Sequence, residues 1–121
     1  MKKVKIFALL AFVFMLSLTL ISPVMGQKKS TKKSSGSANV GAKIFKTECT
    51  TCHAGGKNVV EAEKTLELAT LKKFGFNGPE DIKKRISEGA GVMPAYKDSL
   101  KPAEIDAVAN YVWAQAQKGW K

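Results

Sequence analysis

The chain has 121 residues, with 20 Lys+Arg against 10 Asp+Glu, two cysteines and one histidine. That length holds one small domain of roughly 100–150 residues at most, and so few cysteines and histidines exclude a disulfide-dense scaffold and most multi-histidine metal sites. The charge is uneven: +3 in residues 1–26, +4 in 27–37 and only +3 in 38–121, so the basic character belongs mostly to the N-terminal segments and a dedicated nucleic-acid-binding domain is disfavoured.

Residues 1–26 have the three parts of an export signal. Met1-Lys2-Lys3-Val4-Lys5 is basic, Ile6 to Ile21 is an apolar run broken only by Ser17 and Thr19, and Pro23 precedes Val24 and Gly26 at the positions a signal peptidase reads. Cleavage after Gly26 is expected, which leaves Gln27 first. The alternative is an uncleaved anchor, although the 16-residue run falls short of the ~20 that span a bilayer; any membrane attachment would then come through the leader. Residues 27–37, rich in Lys and Ser, contain no apolar side chain. They cannot offset their ordering entropy by burial and read as a flexible linker to a domain over 38–121.

Within that domain the periodicity is helical, with no convincing strand. A first helix is predicted from Asn39, as N-cap, to about Thr50. A second spans Lys64 to Phe74, with Leu66, Leu68 and Leu71 apolar. Pro79 opens a third at a position where its missing N–H costs nothing, Glu80 and Asp81 suit the positive end of its dipole, and Gly89 ends it. Pro102 opens the last, where Ile105, Val108, Ala109, Val112 and Ala116 share one face as far as about Gln117, with Gly119 as the stop. An all-α core of this size is marginal alone and needs a metal, a disulfide or a cofactor.

Cys49-Thr50-Thr51-Cys52-His53 supplies one, since C-x-x-C-H is the attachment pattern of c-type haem. Two thiols three residues apart can each add to a vinyl edge of one porphyrin, which brings the adjacent imidazole beneath the iron. Other readings compete. A thioredoxin-like pair wants a βαβ context that is missing, and a structural zinc lacks a fourth Cys or His ligand. A plain Cys49–Cys52 disulfide is chemically possible but leaves His53 without a role. His53 is the single histidine, so a second axial histidine is impossible. Of the four methionines only Met93 lies outside the leader, between Gly89-Ala90-Gly91-Val92 and Pro94. That stretch cannot be regular helix and is free to loop over a haem face. A lone Met is commonly core filler, but elimination favours ligation here. Met/His coordination raises the potential and closes both axial positions, which argues for outer-sphere electron transfer rather than catalysis.

With these residues in place the domain resembles the class I c-type cytochromes, and within them the cytochrome c6 type, over essentially all of 38–121. The resemblance rests on Gly41-Ala42-Lys43-Ile44-Phe45, Cys49 to Gly56, Asn58-Val59-Val60, Lys64-Thr65-Leu66, Met93-Pro94-Ala95-Tyr96, Ala109-Asn110-Tyr111-Val112 and Gly119-Trp120. It implies the small cytochrome c fold, about four helices around one covalent haem c, with the first and last helices crossing where Gly41 and Phe45 meet Tyr111. It also implies thioethers at Cys49 and Cys52, axial iron ligands His53 and Met93, and Asn58, Lys64 and Tyr96 near the haem, in reach of its propionates. Three features depart from the photosynthetic members: Arg85 where they typically have Gln, Ala90 where they often have Lys, and the Lys-rich tether. Trp113 replaces a Leu-like residue and reads as core or as a surface aromatic.

The expectation is an exported, periplasmic, monomeric one-electron carrier, not an enzyme, that docks transiently with larger redox proteins in a respiratory or extracellular chain. It would bind no nucleic acid. One alternative is a thylakoid-lumen carrier from a cytochrome complex to photosystem I. Another is a haem enzyme or gas sensor with a displaceable Met93, and a third is a tethered binding module without haem.

Overall fold

The computed structural model describes residues 35–121; the expected leader, its cleavage point and most of the linker lie outside the described residues. The chain opens with α1 (Ser35–Ile44), passes without a break through one wide π turn (Phe45–Cys49) and continues as α2 (Thr50–His53). A 3₁₀ turn at Ala54–Gly56 comes next, then α3 (Leu68–Lys73), α4 (Pro79–Glu88) and α5 (Pro102–Lys118). The α1–α2 rod and α3, α4 and α5 are the four helices of the all-α fold expected. Among the described residues the only β pairing is a single bridge between Ala90 and Met93, and no helix is long and apolar enough to cross a membrane.

The strongly signalled ends are where composition places them. Pro79 and Pro102 stand at the first turns of α4 and α5, the Asp81 carboxylate accepts the Asn77 N–H at 2.8 Å, and Glu104 accepts the Lys101 N–H at 2.8 Å. Gly89 and Gly119 close the two helices with φ of 68° and 71°. The N-terminal helix departs from expectation. It starts at Ser35 rather than at Asn39, so the last three residues assigned to the linker are helical and Asn39 lies inside the helix. Once a helix is nucleated, adding a turn at its end avoids the cost of a new nucleus. The second predicted helix is shorter than its apolar pattern, because Leu66 is held in a bend before α3. Its N–H bonds the Gly56 carbonyl at 2.7 Å, and its carbonyl accepts the Trp120 indole N–H at 2.9 Å.

Ten apolar residues are buried, six of them on α5 (Ile105, Ala107, Val108, Ala109, Val112 and Ala116), so α5 is the spine against which the rest packs. The α1–α5 crossing is backbone on backbone: a Cβ at Gly41 would overlap the Ala107 carbonyl and lie 2.8 Å from the Tyr111 Cβ. Phe45 stacks obliquely against Tyr111 and Trp120, with centroids 5.5 and 5.1 Å apart. Trp113 is half-buried and packs against the core, which settles it as a core residue.

The connection from α4 to α5 folds back over Gly89. A Cβ there would come within 2.5 Å of the Met93 carbonyl and 2.8 Å of the Ala95 nitrogen. Gly91, in the same turn, also has positive φ but open space around it. The two therefore separate backbone strain from close approach. Gly91→Ala is expected to cost about 1 kcal/mol and Gly89→Ala about 3 kcal/mol, read from denaturant unfolding of the two holoproteins; equal losses would contradict the close-packed turn. Gly41→Ala should likewise cost about 3 kcal/mol by forcing α1 off α5.

Candidate functional site

The π turn decides how the cysteine segment meets the interior. One extra residue in the turn Phe45–Cys49 rotates the residues after it, a common device at functional positions. Cys49, Cys52 and His53 are consequently all half-buried and border one cavity. The two cysteines are not joined in a disulfide. Burial, and then the neighbouring Glu48 carboxylate, push the Cys49 thiol up to about 11, so it is protonated at neutral pH.

His53 has a fixed tautomer. Its Nδ1 lies 3.0 Å from the Lys57 carbonyl, which can only accept, so in the neutral imidazole Nδ1 carries the proton and the lone pair is on Nε2. A metal-binding imidazole is oriented in this way by an outer hydrogen bond. The Lys57 carbonyl was not foreseeable from side-chain spacing, because it is a backbone group placed by the turn after α2.

The cavity measures about 390 Å³, within the ~300–1,000 Å³ typical of small-molecule sites. Met93, half-buried, lines it together with Cys49, Cys52 and His53, so the structure brings all four sequence-selected residues to one space. Phe45, Leu71, Ile82, Ile86 and Val112 supply apolar walls. Two thiols, an imidazole with a free Nε2, a thioether and apolar walls fit a flat apolar group gripped through iron. They do not fit a structural zinc: among the described residues no cluster of three His, Cys, Asp or Glu is placed to hold a metal ion.

Asn58, Lys64 and Tyr96 also line the cavity, but their polar groups are already engaged. Asn58 Oδ1 accepts the Val60 and Glu61 N–H groups and its Nδ2 donates to the Lys64 carbonyl, all within its own loop. Lys64 pairs with Glu61. The Tyr96 hydroxyl donates to the Glu48 carbonyl at 3.2 Å, and its pKa is raised above the ordinary value by burial first and by the nearby Cys49 second. Arg85 stands differently. Its side chain reaches the cavity wall with the guanidinium carbon 5.5 Å from the Phe76 ring centroid, and among the described ion pairs none involves it.

Comparison with known proteins agrees with this site. Residues 36–112 match the family model described as cytochrome C oxidase, cbb3-type, subunit III. A cytochrome c6 of Microcystis aeruginosa is 51% identical over 80 residues, covering 66% of this chain and 99% of that protein. The crystal structure of cytochrome c6 from the diatom Phaeodactylum tricornutum superimposes with a TM-score of 0.67 at 40% identity, covering 69% of this chain and 98% of that one. Outer membrane cytochrome F of Geobacter sulfurreducens superimposes with a TM-score of 0.58 at 33% identity, covering 61% and 95%. The chain belongs to the cytochrome c6 family of class I c-type cytochromes, and it is an electron-transfer protein, not an enzyme, that carries one covalently attached haem c.

Proposed function

We propose that Cys49 and Cys52 bear the two thioether links, that His53 and Met93 take the axial positions, and that the protein carries single electrons from a cytochrome complex to photosystem I in the thylakoid lumen. The observation that carries the site assignment is the convergence of all four side chains on one cavity, with His53 Nε2 left free by the Nδ1 contact to Lys57. The cofactor supplies one-electron iron chemistry at a potential raised by Met/His ligation. The chain's own residues would hold it in the cavity, where buried apolar side chains would keep water from it. Phe45, Ile82 and Ile86 exclude solvent, and the Met93 side chain leaves no open coordination position for a substrate.

Docking falls to the rim. Val60 and Val92 line the cavity and are 54% and 71% exposed, a small apolar surface of the kind that weak redox encounters use. Residues 38–121 carry only +3 in total, so steering would depend on local charge patches rather than on net charge.

The photosynthetic assignment is supported by the 51% identity to a cytochrome c6 across nearly its whole length, and we prefer it to the respiratory or extracellular setting that Arg85, Ala90 and the Lys-rich segment suggested. That second setting keeps one specific support, Arg85, an exposed residue that also lines the cavity, alongside the likeness to the Geobacter outer membrane cytochrome.

Flash-induced reduction of photosystem I by the reduced holoprotein should be second-order and should slow at high ionic strength. No reaction there, with rapid electron delivery to a terminal oxidase instead, would transfer the assignment to the respiratory setting. Arg85→Gln should lower the reduction potential by on the order of 40 mV, the equivalent of about 1 kcal/mol of lost Coulomb interaction favouring the reduced iron. An unchanged potential in redox titration would show that the Arg85 charge is screened from the iron.

A further inference from the structure

The segment that carries Met93 is tied down almost entirely to itself and to the end of α4. Two backbone bonds of 3.0 Å join Ala90 and Met93, and the Tyr96 N–H bonds the Ile86 carbonyl at 2.9 Å. Among the described hydrogen bonds, one crosses from this segment to the cysteine-bearing rod: the Tyr96 hydroxyl to the Glu48 carbonyl, 3.2 Å, between residues 48 apart in sequence. Its donor lies three residues beyond Met93 and its acceptor one residue before Cys49. Both line the cavity that these two residues share. The phenol is half-buried and its carbonyl partner belongs to an exposed residue, so the bond lies at the rim of the cavity.

We propose that the Tyr96 hydroxyl is a latch: by holding the Glu48 carbonyl it fastens the Met93 segment against the Cys49 turn, keeps the thioether on the iron and so excludes exogenous ligands. The inference rests on Met93 being the axial ligand. Tyr96 is thus a positioning residue, acting through Met93 without touching the iron. An added ligand must first displace Met93, so its apparent affinity is its intrinsic affinity multiplied by the fraction of molecules with the segment released. Removing one neutral hydrogen bond raises that fraction by about two- to tenfold.

The test is an imidazole titration of the ferric holoprotein, followed by loss of the sulfur-to-iron charge-transfer band, for the wild type, Tyr96→Phe and Tyr111→Phe. Tyr111 packs on Phe45 and Trp120, away from the Met93 segment, so its variant reports general loosening. Tyr96→Phe keeps the ring and loses only the hydroxyl. It should bind imidazole about two- to tenfold more tightly, while Tyr111→Phe stays at the wild-type value. Unchanged imidazole affinity in Tyr96→Phe overturns the latch, and so does an equal rise in Tyr111→Phe, which would assign the effect to loss of global stability. If the wild type lacks the band at the outset, the Met93 assignment itself has failed and the latch falls with it; the band, read before any imidazole is added, distinguishes the two failures.

Discussion

The constraint on which everything else depends is that this core faces a cavity instead of closing on itself. Five of the ten buried apolar residues (Phe45, Leu71, Ile82, Ile86 and Val112) line the space bordered by Cys49, Cys52, His53 and Met93. A domain of this size has little apolar surface to spare, and lining a cavity forfeits contacts that would otherwise favour folding. A covalently held porphyrin restores them, so the cofactor acts as a structural element as well as a redox centre. The helices around it are positioned by contacts that leave little freedom: α1 on α5 at Gly41, the Phe45–Tyr111–Trp120 cluster, and the return of the chain over Gly89.

Electron transfer depends on the same arrangement. A carrier must hold its iron in one coordination state through both oxidation levels while exposing a path for the electron. The Lys57 carbonyl fixes His53 from behind, and the Met93 turn is closed by paired backbone bonds and packed against Gly89. Val60 and Val92 leave apolar surface exposed at the rim of the cavity. Rigidity at the centre and a weak surface at the edge are both consequences of where the chain turns.

The sequence was most legible where a residue's covalent nature restricts the backbone. Pro79, Pro102, Gly89 and Gly119 mark three of the four ends of α4 and α5 to the residue, and the last, Lys118 against an expected Gln117, differs by one. Cys49, Cys52, His53 and Met93 stand out in the sequence because their chemistry is scarce in this chain, and the structure brings all four to one cavity. What escaped was set by tertiary contacts without a compositional mark. The start of α1 at Ser35 carries no mark in composition, since the residues it adds are Ser, Gly and Ala. The π turn is one extra residue in a helix and leaves no pattern. Leu66 fits a helical pattern yet stays outside the helix, because its two backbone groups are claimed by Gly56 and Trp120. Asn58, Lys64 and Tyr96 line the cavity as the resemblance implies, and the bonds of the Tyr96 hydroxyl to the Glu48 carbonyl and of Asn58 within its own loop leave no trace in residue type.

The central claim is that one haem is bonded to this chain through both cysteines of a single turn. Proteolysis of the purified holoprotein and mass spectrometry of the fragments test it directly. The account predicts that the peptide holding Cys49 to His53 carries the added mass of one haem, with no thiol left to alkylate. A peptide with two alkylatable cysteines, from protein that is nonetheless folded, would contradict it.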